Sequence, residues 1–273
     1  MAVKSDWEGR VGQEWARRVA DMETWLGPPG RAGLATLGPI DGLDVIDIGC
    51  GAGATSRAMV AKGARVTGVD VSPDLLDVAT AAGGEVSYRL ADASADDLGG
   101  PYDALFSRFG AMFFDDPVAG WRHIRGHMKP GAKGVIVAWK SWEKNHWTSL
   151  PAVWMSSVLG EEATAPSPGG VPGPFAWGEE AYAREILEEA GWSNIVFDDW
   201  REYNVVTMGD DPDPLARAAK ATMTISPLAS RLKDVSDDQK AEVRAALMEG
   251  FADHMTNGRV QMRASVWLIK MTA

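Results

Sequence analysis

The stretch Leu43-Asp44-Val45-Ile46-Asp47-Ile48-Gly49-Cys50-Gly51-Ala52-Gly53 decides the fold. Its first six residues are a short apolar run of the kind that forms a buried strand. The run ends in three glycines at alternate positions. Glycine lets the backbone turn sharply and approach a ligand closely. A helix from about Ala54 to Lys62 follows, with free N–H groups at its start. The G-x-G-x-G spacing lacks the third glycine position of the G-x-G-x-x-G dinucleotide fingerprint. Asp47 precedes the first glycine, and its carboxylate suits the ammonium of an amino acid better than a pyrophosphate.

Outward from this turn the chain alternates strand and helix. Arg65 to Val69, Val86 to Leu90, Tyr102 to Ser107 and Lys133 to Trp139 read as further strands. Ser72 caps a helix whose first residue is Pro73. Asp116-Pro117 starts another, stopped by Pro130-Gly131. This rhythm predicts an α/β fold with a parallel, doubly wound sheet. Upstream, Trp7 to Leu26 reads as a helix punctuated by Pro28, Pro29 and Gly30, with a short helix to Leu37 after it. Downstream come a helix near Leu150 to Leu159, a loop at Pro166 to Pro174, and a helix from Glu179 to Ala190. A strand spans Ile195 to Trp200. Ser236 and Gln239 form a capping-box pair for a later helix, and Ala264 to Met271 is the last strand.

Composition bounds the function. The 27 Lys and Arg against 38 Asp and Glu give a net charge of −11, which disfavours a nucleic-acid binder. One cysteine excludes an internal disulfide and a Cys-based zinc site. Met1 to Arg10 is polar, unlike a signal peptide, and no apolar run is long enough for a membrane span, so a cytoplasmic protein is expected. Twelve Trp against seven Phe and four Tyr reverse the usual order. Two further acids end strands: Asp70, about twenty residues past the glycines, suits ribose hydroxyls, and Asp92 suits an exocyclic amine such as that of adenine.

DIGCGAG, VDVS, LADA, YDALFSRFG and MKPG together resemble the successive motifs of class I S-adenosylmethionine-dependent methyltransferases. Phe106 to Gly110, Met112 to Phe114, Asp115 to Pro117, Trp139, Gly173 to Phe175 and Ala264 to Leu268 resemble a small-molecule subgroup around quinone-biosynthesis C-methyltransferases. The resemblance spans nearly the whole chain. It implies a Rossmann-like, seven-stranded, mostly parallel sheet of order 3-2-1-4-5-7-6, its seventh strand antiparallel. It implies one domain over 1–273, N-terminal lid helices within 1–38, and helical cap insertions at 140–178 and 203–262. Gly49, Cys50, Gly51 and Gly53, with Asp47, would bind the methionine part of S-adenosylmethionine. Asp70 and Val71 would bind its ribose, and Asp92 and Ala93 would flank its adenine. Ser107, Arg108 and Phe109 would line the methyl-transfer site, while Trp7 and Trp15 belong to the helix folded over the cofactor. Two departures stand out: the segment from Asp70 to Asp92 is short, and His146 stands where proline is expected.

The expected reaction is in-line methyl transfer to a small organic acceptor, leaving S-adenosylhomocysteine. No metal is expected. Trp7, Met112, Phe113, Trp139, Trp142, His146 and Trp147 would form an apolar, aromatic acceptor pocket. His146 is the candidate catalytic residue, as a general base or a substrate hydrogen-bond partner. His123 and His127 read as a solvated helix face. Eight of the twelve tryptophans fall at Trp7, Trp15, Trp25, Trp139, Trp142, Trp147, Trp154 and Trp177, in segments expected to cover cofactor and substrate. Protein or nucleic-acid methylation, and cofactor binding without methyl transfer, stay open as alternatives. A nicotinamide oxidoreductase is disfavoured by the glycine spacing and Asp47. A membrane partner is not expected, and a homodimer is left open.

Overall fold

The computed structural model describes residues 7–165 and 170–273. Residues 1–6 of the expected lid segment and residues 166–169 of the expected loop lie outside the described residues. In chain order the elements are α1 (Arg10–Ala16), α2 (Val19–Leu37), β1 (Asp44–Ile48), α3 (Ala54–Val60), β2 (Arg65–Asp70), α4 (Pro73–Ala81), β3 (Val86–Leu90) and β4 (Tyr102–Arg108). Then come α5 (Pro117–Gly126), β5 (Met128–Trp139), α6 (His146–Leu159), α7 (Glu180–Glu189), β6 (Ser193–Val205), α8 (Pro214–Thr224), α9 (Asp237–Ala252), β7 (Met255–Thr256) and β8 (Arg259–Thr272). No described helix is long and apolar enough to cross a membrane.

The sheet runs β3-β2-β1-β4-β5-β8-β6, with the short β7 paired to β8. β1 is parallel to both β2 and β4, while β8 is antiparallel to both β5 and β6. This is the expected order; the two-residue β7 (Met255–Thr256) simply makes the last strand the eighth. Central strands covered by helices on both faces must be apolar throughout. Val45, Ile46, Leu105, Phe106, Ile136 and Val137 accordingly show almost no exposed surface.

Two features of the N-terminal segment differ from expectation. The break between helices falls at Arg17 and Arg18, and α2 runs unbroken through Pro28 and Pro29. Proline in a helix strips the carbonyl four residues earlier of its N–H partner. Here Pro29 frees the carbonyl of Trp25, and Asn204 Nδ2 on β6 donates to it at 2.8 Å. The helix survives because a strand 179 residues away supplies the missing donor. Elsewhere β5 begins at Met128, so Pro130-Gly131 lies within the strand rather than stopping a helix; α5 has already ended at Gly126. The strands β6 and β8 are also longer than their apolar runs. Ser72 caps α4 by accepting from Leu75 N–H at 3.3 Å. The Ser236 hydroxyl accepts from Gln239 N–H at 3.3 Å, but the Gln239 side chain meets that hydroxyl instead of closing the box on the backbone.

α2 lies flat on the sheet. A Cβ at Gly33 would stand 2.4 Å from Val137 Cγ2 and 3.2 Å from the Phe106 ring. The helices α6, α8 and α9 pack on one another beyond the end of β5. Gly33→Val is therefore expected to destabilise the fold by about 1–3 kcal/mol, because the helix must lift from the sheet. A lowered urea midpoint would show it; an unchanged midpoint would mean that α2 does not rest on the sheet this way.

Candidate functional site

The chain leaves β1 toward β2 on one side while β4 lies on the other, so the carboxyl ends of β1 and β4 flank a topological switch point, the usual ligand crevice of open α/β sheets. Two glycines meet there. A Cβ on Gly49 (φ +67°) would stand 2.9 Å from Gly110 Cα, and one on Gly110 would stand 2.9 Å from the Ile48 carbonyl oxygen. Gly51 (φ +53°) differs: a Cβ there would meet no atom within 4 Å. The backbone at Gly51 thus borders open space. Gly53 (φ +75°) turns the chain into α3 against the Tyr88 hydroxyl.

Two carboxylates at this turn, Asp70 and Asp47, and a third after β3, Asp92, are each held by hydrogen-bond donors. Asp70, partly buried at the end of β2, accepts from Gly51 N–H at 2.7 Å and from Ser72 N–H at 2.9 Å. It fixes the open glycine in place. Burial pushes its pKa up, and those backbone N–H groups pull against the rise. Asp47 is wholly buried, and its Oδ2 accepts from the hydroxyls of Thr55 at 2.8 Å and Ser56 at 2.6 Å. Its Oδ1 has no partner. Desolvation raises its pKa to about 6. Asp92 Oδ1 accepts from the N–H and the hydroxyl of Ser94, closing a tight Asx turn, and Ala93 is buried beside it.

The end of β4 departs further from expectation. Ser107 is fully buried and donates to the Ile48 carbonyl at 2.9 Å, so it braces the two turns and lines no open space. Arg108 forms a two-pronged ion pair with Glu23 of α2, at 3.0 and 2.5 Å, and also donates to the Leu26 carbonyl. It ties the helix above to the sheet. Phe109 holds a left-handed backbone (φ +61°) and stacks on Trp139 with ring centroids 4.4 Å apart. Cys50 is buried under the turn, its thiol pKa raised by burial and by Asp70 and Asp47, which makes it a filler and not a nucleophile. Val71 is half-buried between Asp70 and the Ser72 cap.

The aromatic residues form two groups near the crevice. Phe109, Trp139, Trp25, Trp147 and Phe175 make a continuous chain of ring contacts. Trp7 meets both Trp15 and Phe113 edge-on, at 5.1 and 5.3 Å. Met112 is buried, and its carbonyl accepts from Gly173 N–H at 3.0 Å, which holds the Gly173–Phe175 loop against the end of β4. α1 closes over the β2–α4 turn so tightly that a Cβ at Gly12 would stand 2.3 Å from Ser72 Oγ. Two of the eight tryptophans lie elsewhere: Trp177 packs on Trp121 in the core, and Trp154 packs on Phe251 between α6 and α9. Trp142 is half-buried with its indole N–H unpaired. His146 opens α6 next to Trp147, but among the described residues no ring contact joins it to the aromatic chain. Burial, Arg263 and His254 lower its pKa, keeping the imidazole neutral near pH 7.

Residues 46–136 match a family model for a methyltransferase domain. The match runs from β1 into β5 and takes in both glycine turns. It is 32% identical over 132 residues to the ubiquinone biosynthesis O-methyltransferase of Xanthomonas axonopodis pv. citri (strain 306), covering 45% of this chain and 51% of that one. It is 29% identical over 140 residues to the trans-aconitate 2-methyltransferase of Azoarcus sp. (strain BH72), covering 50% and 55%. The chain spans about half the length of these curated relatives. In fold, the chain is similar to a Bacillus halodurans C-125 structure assigned as a methyltransferase, with a TM-score of 0.55, 16% identity, and coverage of 89% and 97%.

Four residues that organise the site are absent from the sequence-based expectation: Glu23, Gly110, Asn145 and Asn204. Gly110 could have been found, since it closes the run FSRFG two residues past the end of β4. Asn145 is fully buried; its amide donates to the carbonyls of Lys140 and Ser141 and accepts from Trp147 Nε1 at 3.1 Å and Ser265 N–H at 2.9 Å. Its partners come from three elements, which no local pattern signals. For Asp47 the sign of the pH effect is fixed. A folded pKa of about 6 against an ordinary 3.8 means the folded state binds the proton more tightly. The Asp47 contribution to stability is therefore greatest at low pH and is lost, by on the order of 3 kcal/mol, as pH rises through about 6. In urea unfolding, Asp47→Asn should lack this component, so its stability relative to wild type should climb between about pH 4 and pH 7; parallel profiles would contradict the buried, half-satisfied carboxylate.

Proposed function

We propose that this protein transfers the methyl group of S-adenosylmethionine to a small, largely apolar or aromatic organic acceptor. The observation that carries the reading is the open space over Gly51, whose N–H is held by Asp70, beside Gly49, which is pressed on Gly110, the residue after Phe109. The chain fits the cofactor. Gly51 leaves room where a side chain would intrude, and the unpaired Asp47 Oδ1 offers negative charge under the turn. In this reading Gly49, Gly51 and Gly53 present backbone to the methionine part, Asp70 and Val71 face the ribose, and Asp92 and Ala93 flank the adenine.

The bound cofactor supplies a methyl group on a positively charged sulfur, already activated for displacement. The protein's task is then to hold the nucleophile in line and to exclude water. Phe109, kept in its strained backbone by the stack on Trp139, offers a ring face that favours a cation. α1 and α2 cover the crevice, α2 through the Arg108–Glu23 pair. The helices of 140–178 and 203–262 cover the acceptor side, where a mobile lid would gate entry. His146, held neutral beside Trp147, is the group proposed to accept a proton from a hydroxyl nucleophile.

Calorimetry should show binding of S-adenosylmethionine and S-adenosylhomocysteine but not of NAD. Asp70→Asn should weaken S-adenosylhomocysteine at least about tenfold while keeping one acceptor oxygen for the turn. Release of S-adenosylhomocysteine in the presence of a panel of aromatic acceptors separates methyl transfer from simple cofactor binding, and His146→Ala should slow turnover of hydroxyl acceptors in that assay. Binding of NAD alone would overturn the cofactor assignment, and full turnover by His146→Ala would remove the base.

A further inference from the structure

A cleft of about 20 Å³ opens between α2, α6 and α8, lined by Asp21, Trp25, Trp147, Val206, Thr222 and Ser226 among others. This volume accommodates one water-sized group. Two buried polar atoms beside it lack partners: the donor Trp25 Nε1 and the acceptor Asn204 Oδ1. Asn204 is only 2% exposed. It bonds to Trp25 and lies two residues before Val206, both of which line the cleft.

The orientation of Asn204 is dictated by Pro29. The proline leaves the Trp25 carbonyl without its helical donor, and Asn204 Nδ2 fills the vacancy at 2.8 Å. A carbonyl can be met only by the NH₂ end of the amide, so Oδ1 is held as the acceptor. A buried donor and a buried acceptor on two touching residues, next to a space for one small group, match a hydroxyl. A hydroxyl donates one hydrogen bond and accepts another, whereas an ether or carbonyl satisfies only the indole and an ammonium only the amide.

We propose that the acceptor molecule is anchored here by a hydroxyl remote from its methylated atom, donating to Asn204 Oδ1 and accepting from Trp25 Nε1. Its apolar or aromatic body would stay outside the cleft, against the half-buried Trp25 ring, since Trp147 is itself buried. The ring chain Trp25–Trp139–Phe109 leads from this cleft to the glycine turns, so the anchored group is not the one that receives the methyl. The inference rests on the methyltransferase reading of the glycine turn.

The test uses the full chain saturated with S-adenosylhomocysteine and two probes of nearly equal shape, p-cresol and p-xylene, with binding followed by tryptophan fluorescence. Wild type is expected to prefer p-cresol by at least about tenfold, because an unmatched buried polar pair penalises the methyl. Asn204→Leu should lose both this preference and thermal stability, since it also bares the Trp25 carbonyl. Pro29→Ala/Asn204→Leu returns an N–H to that carbonyl, so thermal stability should recover while the preference stays lost. Recovery of the preference along with stability, equal binding of the two probes by wild type, or no binding of p-cresol would each overturn the inference. Failure of S-adenosylhomocysteine to bind would overturn the reading beneath it; its binding without a cresol preference would overturn this inference alone.

Discussion

The back-to-back approach of Gly49 and Gly110 is the contact on which the rest of the site depends. With a Cβ on Gly49 lying only 2.9 Å from Gly110 Cα, neither position tolerates a side chain without separating the ends of β1 and β4. That contact sits where the chain reverses its direction of travel across the sheet, so the two turns are brought together by topology and then pressed together by the absence of side chains. Ser107 clamps them through the Ile48 carbonyl, and Asp70 fixes the next glycine from the β2 side. The result is a rigid backbone rim with open space over Gly51.

Everything above the rim is attached by buried polar ties rather than by apolar area alone. Arg108 leaves β4 and grips Glu23, Asn204 caps the carbonyl that Pro29 frees within α2, and Asn145 joins the loop after β5 to α6 and β8. Each tie is satisfied on one side by a sequence-distant partner, so loss of either member would strand a buried polar group at a cost of about 1–3 kcal/mol. Ties of this kind give the covering layer a defined seat while leaving α1, which rests on Ser72 through Gly12, as a separate piece.

The sheet was legible in the residues because its strands are buried on both faces and are punctuated by glycine, serine and proline with specific backbone roles. The Ser72-Pro73 helix start could be read to the residue from that punctuation, and so could Val86–Leu90, although no residue of this edge strand is buried. The helix through Pro28 and Pro29 could not, since the local penalty is offset by Asn204, 179 residues away. In the site, Asp70, Gly51 and Phe109 stood out because strand ends in a doubly wound sheet converge. Arg108 and Ser107 were placed correctly along the chain but given the wrong surroundings, since their partners, Glu23 and the Ile48 carbonyl, belong to other elements. Tryptophan position was only a partial guide. Trp25, Trp139 and Trp147 do form one aromatic wall, yet Trp177 joins Trp121 in the core and Trp154 packs on Phe251 between α6 and α9, because a large ring packs wherever space and a partner exist.

The central claim is that the glycine rim and the helices over it form one cofactor site. Amide hydrogen exchange of the full chain with and without S-adenosylhomocysteine tests it most directly. The account predicts slowed exchange at residues 47–54, 70–73 and 106–113, together with α1 and the first half of α2. Unchanged exchange at the two glycine turns, or protection confined to the helices beyond β5, would contradict it.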